Sequence, residues 1–209
     1  MPEAAQYNFT HSRPGIVVSK LMPTVRKMVG EVKPGSRVLD VGCGNGSQVS
    51  HLVPDGCTVV GIDPSESGIA NARKGYPQHR FENMLATPGM LDELGEEPFD
   101  IIISTEVVEH VYAPRDWATG VFRALKPGGR LVCTTPFHGY VKNVLISATG
   151  KWDHHHKPLW DGGHIKFWSP QNLEELLREA GFSDVEWKGA GRFWPVWMSM
   201  VMRGIRPAA

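Results

Sequence analysis

Apolar runs and amphipathic stretches alternate along the chain, and their order predicts a layered α/β sheet. Apolar residues at helical spacing over 14–30 (Ile16, Val17, Leu21, Val25, Met28) predict an N-terminal helix ended by Gly30. Apolar runs at 37–41, 58–62 and 99–104 read as buried strands, with Arg80-Phe81-Glu82 as a short strand before the third of them. The segments between them predict a helix from about Ser47 to Val53 and one capped by Ser65 that runs through Arg73, weakened inside by Gly68. A loop rich in Pro, Gly and acids precedes 99–104, a helical stretch covers 105–112, and a longer helix covers 114–125. Lys126-Pro127-Gly128-Gly129 turns the chain into a strand at 130–135. The alternation then breaks: 136–168 reads as irregular, rich in aromatics, His and Gly, and its aromatic content points to an ordered, functional loop. Ser169 caps a helix over 170–180 stopped by Gly181, and strands near 182–188 and 196–203 close the chain. Neither a repeat nor a linker interrupts 1–209, so a single domain is expected.

The densest chemistry lies at the end of the first strand. Val38-Leu39-Asp40-Val41 runs into Gly42-Cys43-Gly44-Asn45-Gly46, and the next strand, Thr58-Val59-Val60-Gly61-Ile62, ends on Asp63. Glycines at a strand's carboxyl end let a ligand press on bare backbone. An acid ending the next strand can accept both hydroxyls of a ribose, and Asp63 stands 19 residues after Gly44 where the rule asks for roughly 20. The spacing is GxGxG, not GxGxxG, and no basic residue stands at the following helix start to meet a phosphate. Asp40 would repel a pyrophosphate and attract a cation. The set predicts an adenosine-type ligand that carries positive charge and no phosphate, a description that S-adenosylmethionine fits.

Composition narrows the class further. Lys plus Arg and Asp plus Glu both number 22, so the formal net charge is zero and the basic excess of a nucleic-acid binder is missing. Cys43, Cys57 and Cys133 are an odd set without metal-type spacing, which suits a reducing compartment. With no signal-like N-terminus and no run near the roughly 18 apolar residues of a spanning helix, a cytoplasmic protein is expected.

Val38 to Gly46 resembles the first motif of class I S-adenosylmethionine-dependent methyltransferases, and Ile62-Asp63-Pro64-Ser65 resembles their second. Phe99-Asp100-Ile101-Ile102-Ile103-Ser104 is similar to their fourth-strand motif, and Leu125-Lys126-Pro127-Gly128-Gly129-Arg130-Leu131 to the turn into their fifth strand. The resemblance implies a Rossmann-like, doubly wound seven-stranded sheet of order 3-2-1-4-5-7-6 with strand 7 antiparallel. It also implies a cofactor site built from Asp40, Gly42, Cys43, Gly44 and Asn45 at the methionine end, and from Asp63, Pro64 and Ser65 at the ribose. Asn83 and Met84 would flank the adenine, Asn83 standing where the family often has an acid, and Ser104 and Glu106 would complete the site.

After the fourth strand, Glu106, Glu109 and His110 stand at i, i+3 and i+4, which on a helix is one face. Two uses are open. His110 can act as a general base on an acceptor hydroxyl, or the three can hold a divalent ion such as Mg that orients paired oxygens and lowers a hydroxyl's pKa. The segment resembles the ubiquinone-biosynthesis O-methyltransferase group, in which such residues have been assigned to metal binding. Related methyltransferases carry a Glu-His pair here without metal.

Residues 136–168 would supply the acceptor pocket, with His138, Tyr140, His154, His156, His164 and Trp168 as lining residues and Trp194 at its rim. The triplet His154-His155-His156 is a poor metal site, because consecutive side chains point different ways. The stretch 140–151, with Tyr140, Lys142 and Lys151, either packs as a lid or touches a membrane surface transiently. The expected function is methyl transfer to a small molecule, most simply to oxygen on an apolar or aromatic acceptor. N-, C- or S-methylation and a non-catalytic S-adenosylmethionine sensor are the alternatives. An NAD oxidoreductase is disfavoured by the glycine spacing and by the lack of a Tyr/Lys pair.

Overall fold

The computed structural model describes residues 9, 10, 16–49 and 52–208, with residues 16–18 described by their backbone only. The chain forms α1 (Ile16–Val29), β1 (Arg37–Val41), β2 (Thr58–Asp63), α2 (Glu66–Gly75), β3 (Arg80–Asn83), α3 (Met90–Leu94) and β4 (Phe99–Thr105). It continues through α4 (Pro114–Ala124), β5 (Leu125–Pro136), α5 (Tyr140–Ala148), α6 (Trp152–His155), α7 (Pro170–Glu179), β6 (Ser183–Ala190) and β7 (Ser199–Ile205). The seven strands form one sheet in the order β3-β2-β1-β4-β5-β7-β6. β1 to β5 pair in parallel, whereas β7 runs antiparallel to both β5 and β6, so the expected topology holds.

Strand alternation sorts the core into two layers. Ile101 and Ile103 of β4 pack with Leu21, Val25 and Met28 of α1, while Ile102 packs on the other face with Trp117 and Val121 of α4 and Leu173 and Leu177 of α7. Both faces of the central strands are covered, which is why those strands read as unbroken apolar runs. Every parallel strand ends at the same edge of the sheet. In an open α/β sheet the ligand crevice lies at that edge, beside the point where the strand order reverses, here between β1 and β4.

Several expected elements differ. Positions 14 and 15 of the N-terminal helix lie outside the described residues, as do 50 and 51 of the expected helix from Ser47 to Val53, whose described neighbours are in turns. The loop after β3 contains the short helix α3. The stretch 105–112 is not a helix: Thr105 ends β4, and Glu106 takes a left-handed φ of 55°. The Glu106 N–H donates to Thr134 O at 3.1 Å and to Thr134 Oγ1 at 3.0 Å, and these bonds to β5 turn the chain away from helical geometry. The insert 136–168 is partly helical, through α5 and α6. Among the described residues no helix is long and apolar enough to cross a membrane.

Candidate active site

The glycine turn follows β1 and is held by β2. Gly42 and Cys43 both donate their N–H to Ile62 O, at 2.8 and 3.0 Å. The Asp63 carboxylate accepts from Gly44 N through Oδ2 and from Ser65 N through Oδ1, each at 2.8 Å. One acid thus fixes both the turn and the start of α2. Asp40 is 1 % exposed beneath the turn and its Oδ2 has no hydrogen-bond partner. Burial, reinforced by the Asp63 charge, pushes the Asp40 carboxyl up to about 8. The same burial, with Asp40 and Asp63 beside it, raises the Cys43 thiol, so Cys43 is an inert wall and not a nucleophile.

Other expected cofactor residues divide between pocket and scaffold. Asn45 is buried and its Oδ1 accepts from Ser47 Oγ at 2.8 Å, closing the turn internally. Asn83 is exposed at the end of β3 and its Nδ2 donates to Asp63 O at 3.0 Å, while Met84 packs partly on the core. Ser65 accepts from Gly68 N as the cap of α2, and Ser104 donates to Val41 O at 2.9 Å; both hydroxyls hold main chain. Pro64, between Asp63 and Ser65, is half-buried. Phe9 went unnoticed in the sequence. Its ring lies on the turn so closely that a Cβ on Gly44 would stand 2.7 Å from it, and Asn71 and Ser67 bind its backbone.

The segment after β4 reaches over the same turn. A Cβ on Gly42 would stand 2.3 Å from Val107 Cγ2, so the missing side chain is what admits the segment. Glu106, Glu109 and His110 do not share a helical face. Glu106 turns to β5 and β7: Thr134 Oγ1 donates to its Oε1 at 2.8 Å and Ser199 Oγ to its Oε2 at 3.3 Å. Glu109 is 1 % exposed and neither carboxylate oxygen has a hydrogen-bond partner. Burial raises the pKa of both acids, and the neighbouring Glu106 charge raises Glu109 further, with the nearby Thr135 hydroxyl, not in hydrogen-bond geometry, opposing the rise only weakly.

Two imidazoles face the bare Glu109 carboxylate. Nε2 of His110 lies 4.0 Å from its Oε1, and Nε2 of His164 lies 3.9 Å from the same atom. His110 Nδ1 is 2.7 Å from Gly162 O; a carbonyl only accepts, so the ring proton of the neutral form is on Nδ1 and Nε2 carries the lone pair. His164 arrives because Ile165 and Lys166 both donate their N–H to Glu109 O at 3.0 Å. Burial, with His110 and His156 nearby, lowers His164 to about 4, so it is neutral at pH 7. The expected trio therefore exchanges Glu106 for His164. Glu109, His110 and His164 place one donor atom each within 4.8 Å of one another, and the His110 Nδ1 bond to Gly162 O would orient the ring so that Nε2 could meet an ion. This N, N, O set fits a transition ion better than Mg, which prefers oxygen ligands.

The remaining acceptor-site candidates scatter. His138 stacks with His156 at 5.7 Å between ring centroids, and both pack against Phe167. Burial, with Lys142 beside it, lowers His138 to about 4. Tyr140 is 83 % exposed and Trp194 72 %, so neither lines an enclosed pocket, and His154 is likewise exposed on α6. Trp168 donates its indole N–H to Val108 O at 3.2 Å and packs on the core, a structural role. On α5 the exposed side carries Tyr140, Val141, Val144 and Leu145, while Lys142 is turned inward.

A strand, glycine turn, strand and acid in this topology define a Rossmann-like α/β domain with a crevice at the strand ends, and comparison with known proteins gives the family. Residues 9–186 match the family described as "Methyltransferase domain", and the chain belongs to it. A ubiquinone biosynthesis O-methyltransferase of Roseobacter denitrificans is 35% identical over 165 residues, covering 74% of this chain and 63% of the relative. The protein of the same name from Cereibacter sphaeroides is 33% identical over 157 residues with the same coverage. The chain thus spans 63% of the length of these curated relatives. Among solved structures, the [4+2]-cyclase SpnF superposes with a TM-score of 0.70 at 18% identity, over 98% of this chain and 88% of that one. The CurJ carbon methyltransferase gives 0.69 at 16%, over 91% and 54%. The Haemonchus contortus phosphoethanolamine N-methyltransferase 2 with bound S-adenosylhomocysteine gives 0.67 at 18%, over 96% and 54%. One fold therefore serves a cyclase, a carbon and a nitrogen methyltransferase, and the fold alone does not choose the nucleophile.

Proposed function

We propose that this protein transfers the methyl group of S-adenosylmethionine to an oxygen of a small apolar or aromatic acceptor of quinone-precursor type. The observation that carries the oxygen assignment is the paired Glu109 and His110, with Nδ1 of His110 tied to Gly162 O and Nε2 directed to the carboxylate side. The sulfonium is already activated, so in-line alignment supplies much of the acceleration. What remains is removal of the hydroxyl proton: His110 Nε2 takes it, and the imidazolium that forms favours ionisation of the facing Glu109. The family names of the relatives at 33% and 35% identity support an oxygen acceptor over nitrogen or carbon. The test is transfer of a labelled methyl group to a panel of catechols, phenols, amines and thiols. Labelling of amines or thiols in preference to every hydroxyl compound rejects the reading.

The same three donors also fit a divalent transition ion, which would lower the pKa of a bound hydroxyl; Glu109, His110 and His164 would hold it. The exposed Val141, Val144 and Leu145 of α5, with Lys151 beyond them, further support transient contact with a membrane surface. Failure to cosediment with anionic vesicles rejects that contact.

A further inference from the structure

We infer that Lys142 binds an anionic oxygen group of the acceptor, a carboxylate or a phenolate, at the inner end of the acceptor site. The inference rests on the methyltransferase reading above and names the kind of acceptor it takes.

α5 buries Lys142 beside Ile146 and leaves other apolar residues outside. Its apolar residues Val144 and Leu145 are 46% and 48% exposed, while Lys142 is 9% exposed. Burying an ammonium is costly unless a partner neutralises it. The side chain has three N–H donors, and among the described residues its one hydrogen bond goes to Met198 O, at a long 3.3 Å. That carbonyl already accepts from Phe137 N at 3.1 Å, so the lysine is not needed to satisfy it. A lysine serving only to fasten α5 would be expected to close an ion pair, and none to Lys142 forms among the described residues.

The groups facing the ammonium leave it in search of an anion. Glu106 from the end of β4 is the one acid whose charge acts on it, and Thr134 and Ser199 hold that carboxylate. The Arg192 guanidinium opposes it from the connection between β6 and β7, and the Lys142 charge acts in turn on His138 just after β5, on His155 at the end of α6 and on His156 just beyond it. The place is at the reaction end of the sheet. Lys142 binds Met198, the next residue Ser199 binds Glu106, and the next residue after that, Val107, lies on Gly42 of the glycine turn.

The experiment is calorimetry on the full chain saturated with S-adenosylhomocysteine. Benzoate is compared with benzamide, and pentafluorophenolate with pentafluoroanisole, so that the carboxylate and phenolate sources are separated. Wild type is expected to prefer the anion of at least one pair by about tenfold or more, the size of a charge-assisted hydrogen bond. Lys142→Met should abolish the preference and Lys142→Arg should retain it, with S-adenosylhomocysteine affinity unchanged in both. Lys142→Gln replaces Lys142→Met if the latter does not fold. Wild type without preference in either pair, or a preference surviving in the uncharged variant, overturns the inference. Failure of S-adenosylhomocysteine to bind wild type would instead strike the methyltransferase reading, and the two failures are read in separate titrations.

Discussion

The Asp63 carboxylate accepts the backbone N–H of Gly44 at 2.8 Å, joining the acid that ends β2 to the turn that ends β1. Its other oxygen accepts from Ser65 N at the same distance, so the acid is fixed in place by two charge-assisted bonds before any ligand arrives. Each oxygen keeps a further lone pair for a ribose hydroxyl. Asp63→Ala removes both functions. S-adenosylhomocysteine affinity should fall more than tenfold by calorimetry, with a stability loss of about 1–3 kcal/mol from the two orphaned N–H groups. Near-normal affinity would sink the ribose assignment.

Asp40 is expected to make cofactor binding a proton-linked event. Burial first, and the Asp63 charge second, hold its pKa at about 8, so at pH 7 the carboxyl is mostly protonated in the ligand-free protein. A cationic cofactor favours the ionised form, so binding should release a proton and tighten between pH 6 and pH 8. The binding enthalpy should then vary with the ionisation enthalpy of the buffer. The sign for stability is opposite: the folded state holds a proton that the unfolded chain, with its carboxyl near 3.8, has lost. This group's contribution therefore declines as pH rises from about 4 through about 8. Asp40→Asn should flatten both dependences, and a persistent buffer effect in that variant would place the proton elsewhere.

Gly42 is required twice over. Its φ of 78° disfavours any side chain, and a Cβ would stand 2.3 Å from Val107 Cγ2. Gly42→Ala should destabilise by about 1–3 kcal/mol and displace the segment carrying Glu109 and His110. The paired change Gly42→Ala with Val107→Ala should recover the steric part and leave the backbone part. A double-mutant cycle in urea with no coupling between the two sites contradicts the close approach.

The chain's own pattern displayed the glycine turn and its acid and concealed the Glu109–His110–His164 cluster, for a physical reason. The turn from Gly42 to Gly46 and its acid are local, one strand apart, and sequence spacing carries them. The stretch after Thr105 has helix-forming residues at helical spacing, yet the bonds from Glu106 N to Thr134 override that local preference through a contact 28 residues away. The same kind of long-range contact brings His164 to Glu109, through main-chain bonds from Ile165 and Lys166 that no periodicity reveals. α5 escaped notice because an inward Lys142 beside Ile146, with Val144 and Leu145 outward, blurs the amphipathic pattern.

The bare Glu109 carboxylate between two imidazoles separates the base reading from the metal reading by experiment. With His110 as the base, His110→Ala should lower turnover by about 10²-fold or more while S-adenosylhomocysteine affinity stays near that of wild type. His164→Ala should cost less, because His164, held neutral by a pKa of about 4, contacts the carboxylate without taking the proton. Dialysis against a chelator should leave wild-type turnover intact. If the ion reading is right, the pattern changes: both histidine variants fall together, chelation abolishes turnover, and added Mn or Zn restores it. Glu106→Gln distinguishes the trios. It should keep whichever behaviour wild type shows, because Thr134 and Ser199 already occupy both oxygens of Glu106.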